Sequence, residues 1–364
     1  MQQRQEIWVD RSDFRHVRVV EDTIPEPADG EILVAVESFA LTANNVSYAL
    51  SGDMIGYWGY FPAQGHWGKV PAWGYARVLV SRCDGLSEGE RLWGFLPMAS
   101  HILMQPGQLS SRGLVDMAEH RQSLPALYNS YTRTAADPPA LADLQHERSL
   151  FFPLFATSYL LYDYLIDNSF FGAAQVIIGS ASSKTAFGLA RLLFADSDSG
   201  VAVYGLTSQA NVDFVAGLDA CDSVLAYENV DQLDADVPAV FVDMAGDTGL
   251  TRAVHGHMGD RLQQSIKVGA THWEATSGSV NGMPGPEPTF FFAPAHIARR
   301  DEQWGAGVMM QRAFSASASL AREMRGQLQI EERVGSDAVI EVWKALLDNR
   351  LPPQRAMILS LLQK

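Results

Sequence analysis

The order of its segments predicts an α/β protein, with a β-rich N-terminal part followed by a doubly wound parallel sheet. Three observations carry this. Short β-branched runs separated by long turns fill the chain up to about residue 150; strand and helix patterns alternate from Val176 onward; and the terminal GSDAVIEVWKALLDNRLPPQRAMILSL returns to a helix and a closing strand.

From Asp22, DTIPEPADGEILVAVESFALT reads as a Pro-rich entry, a turn at Asp29 and Gly30, and a strand through Ile32 to Val36. Ala76 to Val80 is a second strand, and DGLSEGERLWGF from Asp84 is a turn running into a third. Periodicity lapses between Gln105 and Pro139, which predicts an excursion over the surface. Helical spacing returns from Leu141, with Leu150, Leu154, Tyr159 and Leu160 facing the core. Pro153, Thr157, Ser158 and Asp163 interrupt the apolar run Leu150–Leu165, so no membrane span is expected.

Strands then follow at Val176–Ile178, Val201–Tyr204, Ser223–Ala226, Ala239–Asp243 and Gln264–Val268. Helices from about Thr185, over Asn211–Gly217 and over Leu250–Met258 supply the crossovers that parallel pairing requires. NGMPGPEPTFFFAP, after Ala270, is too irregular for a sheet strand and apolar enough to act as a lid. Helical spacing resumes at Val308, and a Pro-Pro turn separates the last helix from the last strand.

Composition narrows the function. With 364 residues, 47% hydrophobic and 19% charged, the chain has apolar material for two packed domains. A net charge of −15 gives a field of the wrong sign for nucleic acid or an anionic membrane. Cys83 and Cys221 are the only cysteines, too few for a disulfide framework or a cysteine-rich zinc site, and the N-terminus lacks a signal pattern; a cytoplasmic protein is expected.

The most informative motif is QVIIGSASSKTAFGLAR, Gln175 to Arg191: strand, small-residue turn, helix. Gly179, Ser180, Ala181, Ser182, Ser183, Lys184 and Thr185 surround the point where backbone N–H groups and a helix N-terminus would hold a dinucleotide pyrophosphate. The GxGxxG fingerprint is not met, and an ordinary turn whose Ser or Thr caps the helix is the alternative. A triphosphate loop is rejected, because its glycines would fall at Ile178 and Ser183. The next strand ends VYGLTSQAN, where Thr207, Ser208 and Asn211 stand without a carboxylate; this favours NADPH over NADH, unless TSQAN is simply a helix cap. In FVDMAGD, Ala245 and Gly246 are placed to approach the cofactor, while Asp243 braces the loop.

These motifs resemble, in order and spacing, the medium-chain dehydrogenase/reductase superfamily, particularly its zinc-free quinone-reductase-like members. IPEPADGEILVAVESFALTANNVSYALSG is similar to its opening strand and cleft loop, GLSEGERLWGF to its GDRVxG turn, and VIIGSASSKTAFGLAR to its glycine-rich loop; VFVDMAGD, IKVGATHWE and LLDNRLPPQRAMILSL also match. The chain looks closest to a bacterial branch, the DUF2855 family. The resemblance implies a GroES-like catalytic domain over 1–150, completed by 297–364, and a Rossmann cofactor domain over 151–296. It also implies a homodimer, and nicotinamide contacts from Gly269, Ala270 and Thr271. Where zinc-dependent relatives carry metal ligands, this chain has Thr42 to Asn45 and Ala72, Trp73 and Gly74, so no zinc is expected. His66, His255 and His257 read as solvated or locally bonded histidines.

Without a metal, hydrogen-bond donors must steady the charge that develops on a substrate oxygen. Tyr48 is the first choice, with Asn44 and Asn45 beside it; Tyr57, Trp58, Tyr60 and Phe292 are the candidates to stack a planar apolar substrate, and packing is the alternative for each of them. The expectation is NADPH-dependent reduction of an enone or quinone-like double bond. Carbonyl reduction, and a non-catalytic nucleotide-sensing protein on the same fold, are the alternatives.

Overall fold

The computed structural model describes residues 3–268 and 282–362, the side chain of Ala140 excepted. The chain forms two compact units, Met1–Leu150 with Leu328–Lys364, and Phe151–Gln327.

The first unit is built on Ile32–Leu41 and Pro71–Ser81, two long antiparallel strands whose alternating apolar residues are buried. Arg91–Pro97 pairs beyond Pro71–Ser81, and Arg355–Ser360 closes the other side against Ile32–Leu41, so the chain's two ends share one sheet. Gln329–Val334 pairs parallel to Arg355–Ser360. A smaller sheet joins Gln3–Asp10 to Val17–Thr23 and Trp67–Gly68.

The stretch from Gln105 to Pro139 is not a surface excursion. Gly113–Asp116 and Ser130–Arg133 extend the main sheet beyond Arg91–Pro97, and Leu114 and Tyr131 are buried. Gly94 makes room for this: a Cβ there would lie 2.3 Å from the Tyr131 ring. Strands this short carry too little alternation to be seen in the sequence.

In the second unit all strand pairs are parallel. From edge to edge the order is Ser223–Ala226, Ala202–Thr207, Gln175–Gly179, Ala239–Asp243, Leu262–Lys267 and Thr289–Phe290. The chain starts in the middle, works to one edge, then crosses to the other, which is the doubly wound Rossmann order. Thr289–Phe290 corrects the expectation of no strand in the Pro- and Phe-rich segment; it adds a short edge strand beside Ile266 and Lys267.

Helix Gln145–Asp167 runs through Pro153 without stopping, in line with the helical spacing read from Leu141 onward. It is long and apolar enough to cross a membrane by length and composition, but 67% of its apolar window is buried within the protein. Its Asp163 accepts from His296 at 2.7 Å and from Nε and Nη2 of Arg300 at 2.6 and 3.0 Å. Burial pushes this carboxyl up, yet the His296 and Arg300 hydrogen bonds outweigh it and leave its pKa lowered. Helices Ala293–Trp304 and Val308–Glu323 therefore belong to the second unit, and the chain rejoins the first at Leu328 rather than at 297.

Between that long helix and the central strand, Ser169, Phe170 and Phe171 all have left-handed backbones, with φ of 48°, 50° and 54°, ahead of Gly172. Each costs a non-glycine residue about 1–2 kcal/mol. Ser169 is exposed, so S169G should raise stability by about 0.5–1 kcal/mol, read as a higher urea midpoint at unchanged slope; an unmoved midpoint would mean that the turn is not strained.

Candidate functional site

Gly179 is the last residue of the central strand and lies in register with Leu206 on one side and Asp243 on the other. The loops that follow these three strands, carrying Ser180–Ser183, Ser208–Asn211 and Met244–Asp247, therefore start level with one another at the sheet's carboxyl edge. This is the switch point of the strand order, where open α/β sheets bind ligands.

The first loop turns sharply at Ser180, which is left-handed with φ 54°. Its hydroxyl lies 3.0 Å from the Tyr227 hydroxyl, and Ala181 N–H donates to the Leu206 carbonyl at 2.9 Å. Gly205 allows this crossing, since a Cβ there would stand 3.1 Å from that of Ala181. Ser183 caps helix Lys184–Ala195 by accepting from Ala186 N–H, and the first turn holds no acidic residue. The cap and the anion-binding reading thus coexist: the helix dipole and Lys184 make the N-terminus positive, and the side chain of Ser182 is small. Lys184 is half-buried, and burial pushes its ammonium down to about 8.

The third fingerprint glycine is replaced by Thr185, but its packing role has moved. A Cβ on Gly188 would lie 2.5 Å from Ser158 Oγ and 2.7 Å from the Phe155 ring, and Ser158 Oγ donates to the Thr185 carbonyl at 2.8 Å. Helix Lys184–Ala195 approaches helix Gln145–Asp167 closely there instead.

Asn211 Nδ2 reaches Ser182 Oγ at 3.4 Å, joining the second loop to the first. Ser208 makes no side-chain cap, and the buried Thr207 hydroxyl has no partner among the described residues, so TSQAN is not simply a helix cap. In the third loop Asp243 accepts from Ala245 and Gly246 N–H at 3.0 and 2.9 Å and from Thr251 Oγ1 at 3.2 Å. Burial raises its pKa while those bonds oppose the rise. The carboxylate is a brace, with Gly246 at φ 74° beside it. Gly269, Ala270 and Thr271 lie outside the described residues. Tyr227 was not foreseen, although its place directly after the third parallel strand is a ligand position by the rule that located the other loops.

In the first unit, Tyr48 lies on helix Ala43–Leu50 within a set of aromatic rings: its centroid is 4.6 Å from Tyr57, 5.4 Å from Phe95 and 6.4 Å from Tyr128. Its hydroxyl accepts from Trp73 Nε1 at 3.2 Å. Burial first, then the neighbouring Tyr128, pushes its pKa far up, against smaller pulls from Trp73 and from a hydrogen bond with Asn44. The phenol is protonated at every physiological pH and is a competent donor.

Asn45 is different. Its Oδ1 accepts from Thr42 N–H at 2.7 Å in a capping box, and its Nδ2 donates to the Pro71 carbonyl at 2.9 Å, so both ends of the amide hold backbone. Trp58 is likewise structural. Its indole is clasped by Gly52 and Gly68, where added Cβ atoms would fall 2.1 and 2.5 Å away. Tyr57 and Tyr60 are buried, whereas Phe292, in the second unit, is 47% exposed.

Among the described residues no three His, Cys, Asp or Glu side chains gather to hold a metal. His255 bonds the Pro284 carbonyl and Ser265, and His257 the Leu233 carbonyl. His66 lies on the surface, 3.5 Å from Asp10.

The family described as Protein of unknown function (DUF2855) matches residues 39–352. The chain belongs to the DUF2855 family. No curated protein matches this DUF2855 chain in sequence. Among solved structures, CurA from Vibrio vulnificus in complex with NADPH superposes with a TM-score of 0.61 at 12% identity, covering 99% of this chain and 100% of that one. A mutant enoyl thioester reductase from Candida tropicalis gives 0.56 at 9%, covering 99% and 100%. The yhdH oxidoreductase from Salmonella enterica in complex with NADP gives 0.52 at 12%, covering 98% and 100%. Identities this low establish the fold: a GroES-like β-rich unit and a Rossmann unit, as the medium-chain reductase resemblance implied.

The bonding of Asn45 predicts that N45A lowers stability by about 1–3 kcal/mol, from a lost cap and a lost buried hydrogen bond. Thermal unfolding checks this; a variant as stable as wild type would free Asn45 for another role.

Proposed function

We propose that this DUF2855 protein is a zinc-independent, NADPH-dependent reductase of activated carbon–carbon double bonds, in enones or quinone-like compounds. The observation that carries the reading is the loop Gly179–Thr185 at the sheet's switch point, beside a second strand ending in Thr207 without a carboxylate. The fold it shares with CurA, crystallised with NADPH, and with an enoyl thioester reductase supports the same reaction class.

NADPH, when bound, supplies the hydride. The pyrophosphate fits the N-terminus of helix Lys184–Ala195, where Ser182 and Ser183 keep the approach low and Lys184 adds positive charge. Asn211 and Ser208 are placed for the adenosine ribose and its 2′-phosphate, and Ala245 and Gly246 for the chain's passage to the nicotinamide. In the first unit, Tyr48 donates to the substrate oxygen, with Asn44 setting the direction of its hydroxyl. A cytoplasmic homodimer belongs to the same proposal.

Tryptophan fluorescence on titration with NADPH and NADH tests the first step. K184A should weaken NADPH and NADH alike, by roughly tenfold or more, the loss expected for a charge-assisted hydrogen bond to the shared pyrophosphate. A loss confined to NADPH would move Lys184 to the 2′-phosphate, and the absence of saturable binding in wild type would overturn the reading.

The pH dependence has a definite sign. Lys184 is charged below about 8, so its attraction for phosphate is full at lower pH and is lost as pH rises through that value. NADPH affinity should therefore fall from pH 7 to 9 in wild type and stay nearly flat in K184A. A parallel fall in both proteins would remove Lys184 from the site.

A further inference from the structure

We infer that Tyr227 governs dinucleotide affinity as a positioning residue: it holds Ser180 in the left-handed turn from which the phosphate loop presents its N–H groups, and it does not itself touch the cofactor. The inference rests on the cofactor reading of that loop and lies wholly within the second unit.

The φ of 54° at Ser180 is a conformation that glycine adopts freely and serine does not, and no other non-glycine residue of the loop shares it. Two backbone bonds close the turn: Ser183 N–H donates to the Ser180 carbonyl and Ala181 N–H to the Leu206 carbonyl, both at 2.9 Å. Those bonds use two of the loop's donors inside the fold. The N–H groups of Ser182 and Thr185 have no partner among the described residues, and they lie at the N-terminus of helix Lys184–Ala195, where a phosphate would meet them. Their direction depends on the Ser180 turn being held.

The hold on it from outside the loop is the hydroxyl of Tyr227, 3.0 Å from that of Ser180 and 47 positions away, with either able to donate. Tyr227 is the first residue after the edge strand Ser223–Ala226, and Ala202–Thr207 lies between that strand and the central one. Two strand spacings amount to about 9–10 Å, a span that a tyrosine, the bond and a serine cover together. The ring packs against the buried cluster that contains Leu206, Phe241 and Leu250, which fixes its direction.

The surroundings of Tyr227 speak against direct contact with phosphate. Burial raises its pKa, the Ser180 bond opposes the rise, and the carboxylates of Asp247, Asp243 and Glu228 add to it. The phenol therefore keeps its proton, and the three carboxylates facing it would repel a phosphate set against the same hydroxyl. Its one described bond goes to Ser180. The route from Tyr227 to the cofactor thus runs through the shape of the loop.

Fluorescence titration of the full-length protein with NADPH and with NADH tests this in wild type, Y227F, S180G and the double variant Y227F/S180G. Y227F, which keeps the ring, should weaken both nucleotides equally, by about threefold to tenfold, the worth of one hydrogen bond. In the S180G background glycine takes the turn and leaves no hydroxyl to hold, so adding Y227F should change either affinity by less than about twofold. S180A breaks the same bond from the other side with Tyr227 intact and should match the loss in Y227F, which keeps the inference open to refutation if Y227F fails to fold. Unchanged binding in Y227F, a loss confined to NADPH, or an equal further loss in the S180G background would overturn the positioning role and leave the cofactor site standing. A wild type that binds neither nucleotide would overturn the cofactor reading and this inference with it.

Discussion

Parallel pairing of Gln175–Gly179 with Ala202–Thr207 on one side and Ala239–Asp243 on the other is the constraint on which the cofactor reading depends. Because both neighbours run the same way in continuous register with the central strand, three loops begin at one level and their residues share a small region. Moving the register by one residue would invert the inward and outward faces of the strand. The central strand resists this because Gln175 to Gly179 is buried throughout, and Gln175 Nε2 donates to the Asp234 and Val237 carbonyls at its start.

The loops show how the protein manages without the usual glycines. Ser180 adopts the left-handed turn that glycine would take more cheaply, and its hydroxyl is anchored to Tyr227. Close approach of the helices is provided at Gly188 rather than at Thr185. The same physical requirements are met at other addresses, which is why a fixed spacing fails while the architecture persists.

In the first unit the decisive feature is aromatic density. Tyr48, Tyr57, Tyr60, Trp73, Phe95 and Tyr128 pack ring against ring, and their polar tips must find partners as they are buried. That requirement sorts them by chemistry: Tyr60 is spent on a backbone carbonyl, while Tyr57 and Tyr128 are left with each other. Trp58, by contrast, is packed closely against two glycines.

Local pattern alone determined the alternation of strand and helix after Val176, the bounds of Ser223–Ala226, Ala239–Asp243 and the start at Val308, and the place of the loop after Ile178. These are legible because burial on both faces of a parallel strand writes a continuous apolar run, and because a turn must follow it. Only the tertiary structure decided that Tyr131 and Leu114 lie in a sheet, that Asn45 holds backbone, and that Tyr128 meets Tyr57. Each depends on a partner far along the chain, and nothing in the spacing of neighbouring residues encodes the distance between two hydroxyls brought together by packing.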